Sequence, residues 1–437
     1  MNVNFSIEMQ WRHLLEGSAE ECACFGLLSI KNNTVAMAEG FDGFINCSRQ
    51  GPLVSGYPLA EWLAWNWWRL TVEPRYDHPS NDWAFAHRLS TVGEGYLWPN
   101  ITVYSDRERT VVIANPTCPQ GFAAFRFTAK HTVVLPSRIF EAAVDSFMGQ
   151  VQGKLREGNI SETNFDRIWA DVCDERADPN LSARRRLEAL LGIDPDQGNP
   201  EQIEQLLMDA SIVGTDAVHE LAAAQISGNH VTTASEIRDL ARKLGSETKL
   251  GDRVRLTIDD LPPCEELPAW KRGYLVANKL REQQRLGNNP ITNNQLSELC
   301  GVSEEIINPK SSNQNIGLSF SLESENDGVC RTVLRSRWET NRRFDLARLL
   351  GDYLSSGLSE PLSLASKSYT YRQKLQRAFA AELLCPFEAL DENLNGDYSS
   401  EAIDDAAHHF QVSERTVSTL LVNHKRIDRD FLEDEAA

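Results

Sequence analysis

One stretch constrains this chain more than any other: "RRFDLARLLGDYL", residues 342–354. Apolar or small residues fall at Phe344, Ala347, Leu350, Gly351 and Leu354, and a second set falls at Leu346, Leu349 and Tyr353. Both sets keep the 3.6-residue period of an α-helix, so the segment predicts a helix with apolar surface on two faces. Such a helix belongs in the middle of a domain. Only Asp345, Arg348 and Asp352 interrupt it, and their i, i+3, i+7 spacing sets all three on one stripe. Arg348 follows Asp345 by three residues and precedes Asp352 by four, which predicts a charge clamp with one guanidinium bridging two carboxylates. In a buried cleft, losing one partner of such a clamp costs about 3–5 kcal/mol by stranding the other charge.

The remaining organisation predicts an α+β protein in three parts, since 437 residues exceed what a single core usually organises. Residues 1–135 form a Trp-rich mixed α/β module: "NITVYS" and "RTVVIA", split by "DRE", read as a β-hairpin, and "FAAFRFTAKHTVVLP" reads as one or two further strands. Ahead of them "LAEWLAWNWWRL" has helical spacing. Residues 136–247 read as a helical domain or connector, opened by "SRIFEAAVDSFMGQVQGKL" with Ser137 as a cap candidate. Glycine and proline return near "GSETKLGDRVRLTIDDLPPCEELPAW", which places a boundary before a C-terminal domain, 248–437, with a loop over 308–317.

The charge-stripe segment and three other blocks resemble the ImmA/IrrE family of zinc metallopeptidases. "RRFDLARLLGDYL" is similar to that family's signature helix, R-R-F-T-L-A-H-E-L-G-H, and "RQKLQRAFAAELLCP" (372–386) to its second block, E-x-E-A-N-x-F-A-A-x-L-L-M-P. "GYLVANKLREQQRLGNNPITNNQLSELCGV" (273–302) resembles the leading helix and loop, and "AIDDAAHHFQVSERTVSTLLVNHKRI" (402–427) the terminal segment. The likeness runs in order over roughly 268–427 and implies a zincin-like α+β domain.

Carried over residue by residue, the resemblance places the first zinc histidine at Arg348, the general-base glutamate at Leu349 and the second histidine at Asp352. The family's third ligand, an acid of the second block, falls at Gln373 or Leu375. A guanidinium stays protonated and is no zinc ligand, and a lone aspartate does not make a tetrahedral site. The resemblance therefore implies a pseudopeptidase without catalytic residues, metal or cofactor. Other histidines do not supply a replacement: His408 and His409 are adjacent and diverge by about 100° on a helix, while His424 ends the apolar stripe Val417, Leu420, Leu421.

Because active members of the family cut repressor-type proteins, the resemblance also implies a regulatory or scaffolding role in phage defence, stress response or mobile-element control, exercised on a protein partner. Seven of the ten tryptophans lie in the first module, and Trp62, Trp65, Trp67 and Trp68 are candidates for that partner surface, against the alternative that they pack a core. Two other functions compete. One is a DNA-binding regulator using a helix-turn-helix-like segment, 293–308 or 406–421, although Glu298, Glu304 and Glu305 oppose phosphate contact in the first. The other is an enzyme sited in the N-terminal module, where no P-loop, nucleotide-binding fingerprint or nucleophile elbow occurs. There Asp77, His78, Asp82 and His87 read as part of an aromatic-rich surface loop.

Composition narrows these options. A net charge of −19, from 63 acidic and 44 basic residues, excludes broad nonspecific coating of nucleic acid and leaves only a local grip. No apolar run approaches the roughly 18 residues of a membrane span, and the N-terminus lacks a signal-peptide pattern, so the expected location is the cytoplasm. Nine scattered cysteines without a C-x-x-C pair fit a reducing compartment.

Overall fold

The computed structural model describes residues 4–76, 78–117, 124–225, 231–249, 252–256, 267–308, 317–323, 329–356 and 360–428. Helices predominate, with several small antiparallel sheets, and the chain divides into two compact units, Met1–Leu207 and Met208–Ala437. The helical run read as a middle segment is thus shared between them. Cys118, Cys264, Asp77 and most of the 308–317 loop lie outside the described residues. No helix among the described residues is long and apolar enough to cross a membrane.

In the first unit the strand Phe5–Trp11 pairs antiparallel with Phe25–Asn32, burying Phe5, Ile7 and Met9 on one face by the two-residue alternation of a strand. The expected hairpin is present: Ile101–Ser105 pairs with Arg109–Ala114 in the register Ser105↔Thr110, and His131–Pro136 adds a third strand. The tryptophan-rich helix is broken in two. Gly56–Trp65 ends at Asn66, whose side-chain amide donates to the Trp62 carbonyl at 2.8 Å, and Trp67–Val72 begins a second helix whose six residues are all buried. Helix Ser137–Glu157 comes next in the chain, but Ser137 does not cap it. The cap position is Pro136, and the Ser137 hydroxyl instead lies 3.2 Å from those of Ser105 and Thr110, fastening the helix to the hairpin.

The second unit carries one four-stranded antiparallel sheet in the order Ser246–Thr248, Cys330–Val333, Ser319–Glu323, Leu362–Ala365. Three helices build its core: the leading helix Ala269–Gln283, the charge-stripe helix Glu339–Ser356 and the glutamine helix Tyr371–Leu384. Val276, Leu280, Leu346, Leu350, Phe379 and Leu383 meet in that core. Two glycines set the close approach. A Cβ at Gly273 would stand 2.5 Å from the Leu375 carbonyl oxygen, and one at Gly351 would overlap the Phe379 ring. The glutamine helix is thereby held against both neighbours.

The helix-turn-helix reading of 293–308 needs correction. Asn293–Cys300 is a helix closed by left-handed Gly301, but the next element is a single 3-10 turn, Glu304–Ile306. No second helix stands there among the described residues. The 406–421 segment does join two helices, Ser400–Phe410 and Glu414–Asn423, through left-handed Gln411.

Candidate functional site

The charge-stripe helix is central, as its double apolar face predicts: Leu346, Leu349, Leu350 and Leu354 are all buried. Its first turns are fixed by two arginines that bind backbone rather than acids. Arg342 donates to the carbonyls of Ile306, Leu334 and Ser336 at 2.7, 3.1 and 2.7 Å, and Arg343 to the Ile291 carbonyl at 2.6 Å and to Asn293. Burial lowers the pKa of both guanidiniums. Carbonyl oxygens take up most of their donors without bringing more charge into the core, although Arg343 Nε finds no hydrogen-bond partner among the described residues.

Beyond them lies the stripe, with Asp345, Arg348 and Asp352 each no more than 2% exposed. The Asp345 carboxylate accepts from Ser319 Oγ at 2.8 Å, Arg335 Nε at 3.0 Å and Arg348 Nη1 at 3.3 Å. Arg348 Nη2 donates to the Ser366 carbonyl and to Gln373 Oε1, both at 2.6 Å. The same Gln373 oxygen accepts the Ser366 backbone N–H at 2.9 Å, and its amide donates to the Leu364 carbonyl at 3.0 Å. Gln376, one turn on, donates to that carbonyl at 2.9 Å. Burial lowers the Arg348 pKa while Asp345 pulls it back up.

The clamp is therefore real in part and different in its wiring. Arg348 reaches Asp345, but the bidentate partner of Asp352 is Arg372, with Nε and Nη2 at 2.6 and 2.7 Å from the two carboxylate oxygens. Burial opposes charge on Arg372, and Asp352, Glu220 and Glu360 outweigh it, so its pKa is raised. Glu360 lies 3.7 Å from the same guanidinium and accepts the backbone N–H groups of Asp216 and Ala217 at 2.8 and 3.0 Å. Glu220 accepts from Thr370 Oγ1 at 2.8 Å. A guanidinium fork serves a buried carboxylate better than a single shared bond, because both carboxylate oxygens receive a donor in one planar contact. That preference selects Arg372 over Arg348 as the partner of Asp352.

Position by position, the pattern bears on a metal. Arg348, at the place assigned by resemblance to the first zinc ligand, touches Gln373, one of the two places (the other is Leu375) at which the second-block ligand would fall. Asp352, at the place of the second histidine, is close enough to Arg348 to favour its charge. These positions hold a cation, an amide and a carboxylate already doubly bonded. Leu349, at the place of the base, is packed in the core, and Leu375 is buried. Among the described residues no three His, Cys, Asp or Glu side chains converge to hold a metal ion. The residues present at these positions do not fit zinc.

Sequence reasoning placed Arg348, Asp352 and Gln373 but missed Arg372, Arg335 and Gln376. A signal existed for the first: a buried carboxylate at Asp352 requires a cation, and an arginine heads the second block beside Gln373.

In the first unit the tryptophans mostly pack. Trp67 and Trp68 are buried, correcting their assignment to a partner surface: Trp67 meets Trp169 edge-on with ring centroids 5.4 Å apart and carries Arg176 over its face at 4.3 Å, while Trp68 Nε1 donates to Glu175 at 2.6 Å. Trp65 is 60% exposed and Phe85 64%, and half-buried Trp62 joins them by donating to the Phe85 carbonyl at 3.2 Å. The surface-loop reading of His87 also fails. It ends the helix Asn81–His87, is fully buried, stacks on Trp83 at 4.2 Å, and lies 2.9 Å from Glu73, which Arg69 also binds at 2.7 Å.

Comparison with protein-family models, curated proteins and solved structures gives no match to this chain.

Proposed function

We propose that this protein is a catalytically inactive metallopeptidase-like regulator or scaffold, which acts in the cytoplasm by binding a protein partner rather than by cutting it. The observation that carries the reading is the bond from Arg348 to Gln373: the position that the resemblance assigns to the first metal ligand meets one of the two positions, Gln373 and Leu375, at which the third would fall, and a guanidinium–amide contact occupies them. A seat that kept its frame but exchanged metal for an internal ion-pair network supports a retained shape and a discarded reaction. Phage defence, stress response or mobile-element control is the setting that the resemblance suggests. The partner surface includes Trp65, Phe85 and Trp62, since exposed aromatic side chains are the usual anchors of protein interfaces.

The test is a pair of measurements on the full chain. Incubation with unstructured and repressor-type proteins, with and without added zinc, is expected to give no cleavage. Affinity capture from native cells is expected to recover a protein that a Trp65→Ala chain fails to retain. Multiple-turnover cleavage abolished by chelator would replace this reading with a peptidase.

A further inference from the structure

In the first unit, helix Asn81–His87 carries the exposed Phe85 ring of the proposed partner surface, and one ion pair fastens it at both ends. Arg69 belongs to helix Trp67–Val72 and Glu73 caps that helix, with Arg69 Nε donating to Glu73 Oε2 at 2.7 Å. Arg69 Nη1 reaches Asp82, in the first turn of the Phe85 helix, at 2.9 Å. Glu73 Oε2 lies 2.9 Å from Nε2 of His87, the last residue of that helix. Arg69, Glu73 and His87 are all buried.

The bonds of His87 require a proton that a neutral imidazole lacks. Nδ1 is 2.7 Å from the Val103 carbonyl oxygen on strand Ile101–Ser105, and a carbonyl only accepts, so Nδ1 carries a hydrogen. Nε2 faces the Glu73 carboxylate, a second acceptor. A neutral ring would turn a lone pair toward one of these oxygens, whereas the imidazolium donates to both. The proton belongs on the ring rather than on Glu73, because Arg69 binds the same carboxylate oxygen and favours its anionic form. Trp83 favours the same state: its ring stacks on the imidazole with centroids 4.2 Å apart and planes inclined by 15°, so a cation rests on an aromatic face.

We infer that the His87–Glu73 contact is a proton-dependent latch: with His87 protonated it holds the helix bearing Phe85, and loss of that proton releases the helix. As regulation of partner binding, the latch rests on the reading of Trp62, Trp65 and Phe85 as a docking surface. A proton held in the closed form and given up on opening makes the latch firm at low pH and weaker as pH rises. Once the ring is neutral, either Val103 or Glu73 loses its donor. Other titratable groups surround the pair. Asp82 and Asp194 share Arg69 Nη1, and Tyr104 lies across Trp83 with ring centroids 6.0 Å apart. Burial, reinforced by the Glu73 charge, raises the pKa of Tyr76, so this phenol stays neutral while an imidazole titrates.

The test uses the full chain without a partner, so its failure is separate from failure of the docking reading, which capture with Trp65→Ala addresses. Ring-nitrogen NMR of histidine-labelled protein is expected to show His87 protonated at both nitrogens at neutral pH. Its signal is identified by loss in His87→Gln or, where that variant does not fold, by its shift in Glu73→Gln. Hydrogen exchange, corrected for the intrinsic rate, is expected to show helix Asn81–His87 opening more as pH rises, by up to about tenfold per pH unit for one linked proton. Glu73→Gln can donate an amide hydrogen to a neutral ring, so opening of its helix should lose this pH dependence. A neutral His87 ring at neutral pH, or wild-type protection in this helix that does not fall as the ring loses its proton, would overturn the latch.

Discussion

Arg348 joins three parts of its domain from one side chain: its two terminal nitrogens tie the Asp345 carboxylate, the Ser366 carbonyl past a strand end and the Gln373 amide of a neighbouring helix into one knot. Removing it leaves Asp345 with Arg335 but strips Gln373 and the Ser366 carbonyl of a charged donor. Arg348→Ala is expected to destabilise the second unit by about 3–5 kcal/mol, read as a shift in the urea midpoint. A change within the range of an ordinary surface substitution would show the knot to be dispensable. Glu382 carries a different signature. Burial, opposed by the Phe387 N–H bond at 3.2 Å and by Asn278, raises its pKa to about 7. An acid whose folded pKa lies above its unfolded one binds more protons in the native state, so it favours folding at low pH, and that advantage is lost as pH rises from about 4.5 to 7. Glu382→Gln should flatten the decline in stability between about pH 5 and 8 by a few kcal/mol at most. An identical pH profile in the variant would contradict the assignment.

At the scale of elements, the packing of three helices depends on two glycines rather than on large side chains. Alanine is the better helix former by about 1 kcal/mol, so propensity alone favours Gly273→Ala and Gly351→Ala. Overlap with the Leu375 carbonyl or the Phe379 ring is expected to outweigh that gain by about 1–3 kcal/mol, because a well-packed core yields only through backbone shifts. Both variants should therefore melt lower, and a rise in either would mean that the crossing is looser than its geometry indicates. These elements also show what the sequence makes legible. Period and charge spacing expose the central helix and its three-residue stripe, and alternation exposes the hairpin. The partners of the stripe stay hidden, because Ser319, Arg335, Ser366 and Arg372 arrive from strands and helices that periodicity does not relate to it. The same limit separates Trp65 from Trp67: the chain bends at Asn66, and a continuous helical reading across that break assigns faces wrongly.

Across the whole molecule, the tryptophans sort into buried rings such as Trp67 and exposed ones such as Trp65. Trp67→Ala removes a buried ring packed on Trp169 and is expected to destabilise the first unit by about 3–5 kcal/mol. Trp65→Ala should leave the melting temperature unchanged and reduce partner retention, since its ring is exposed. Equal effects of the two substitutions on stability would count against the division. The central claim concerns the second unit, where Arg348, at the place assigned by resemblance to the first metal ligand, meets Gln373, one of the two places assigned to the third, and it is tested most directly by the zinc content of the purified full chain. Elemental analysis after purification in zinc-supplemented buffer without chelators is predicted to give less than about 0.1 zinc per chain, because structural and catalytic sites at neutral pH retain metal through purification. About one zinc per chain, lost together with activity on chelation, would contradict the account.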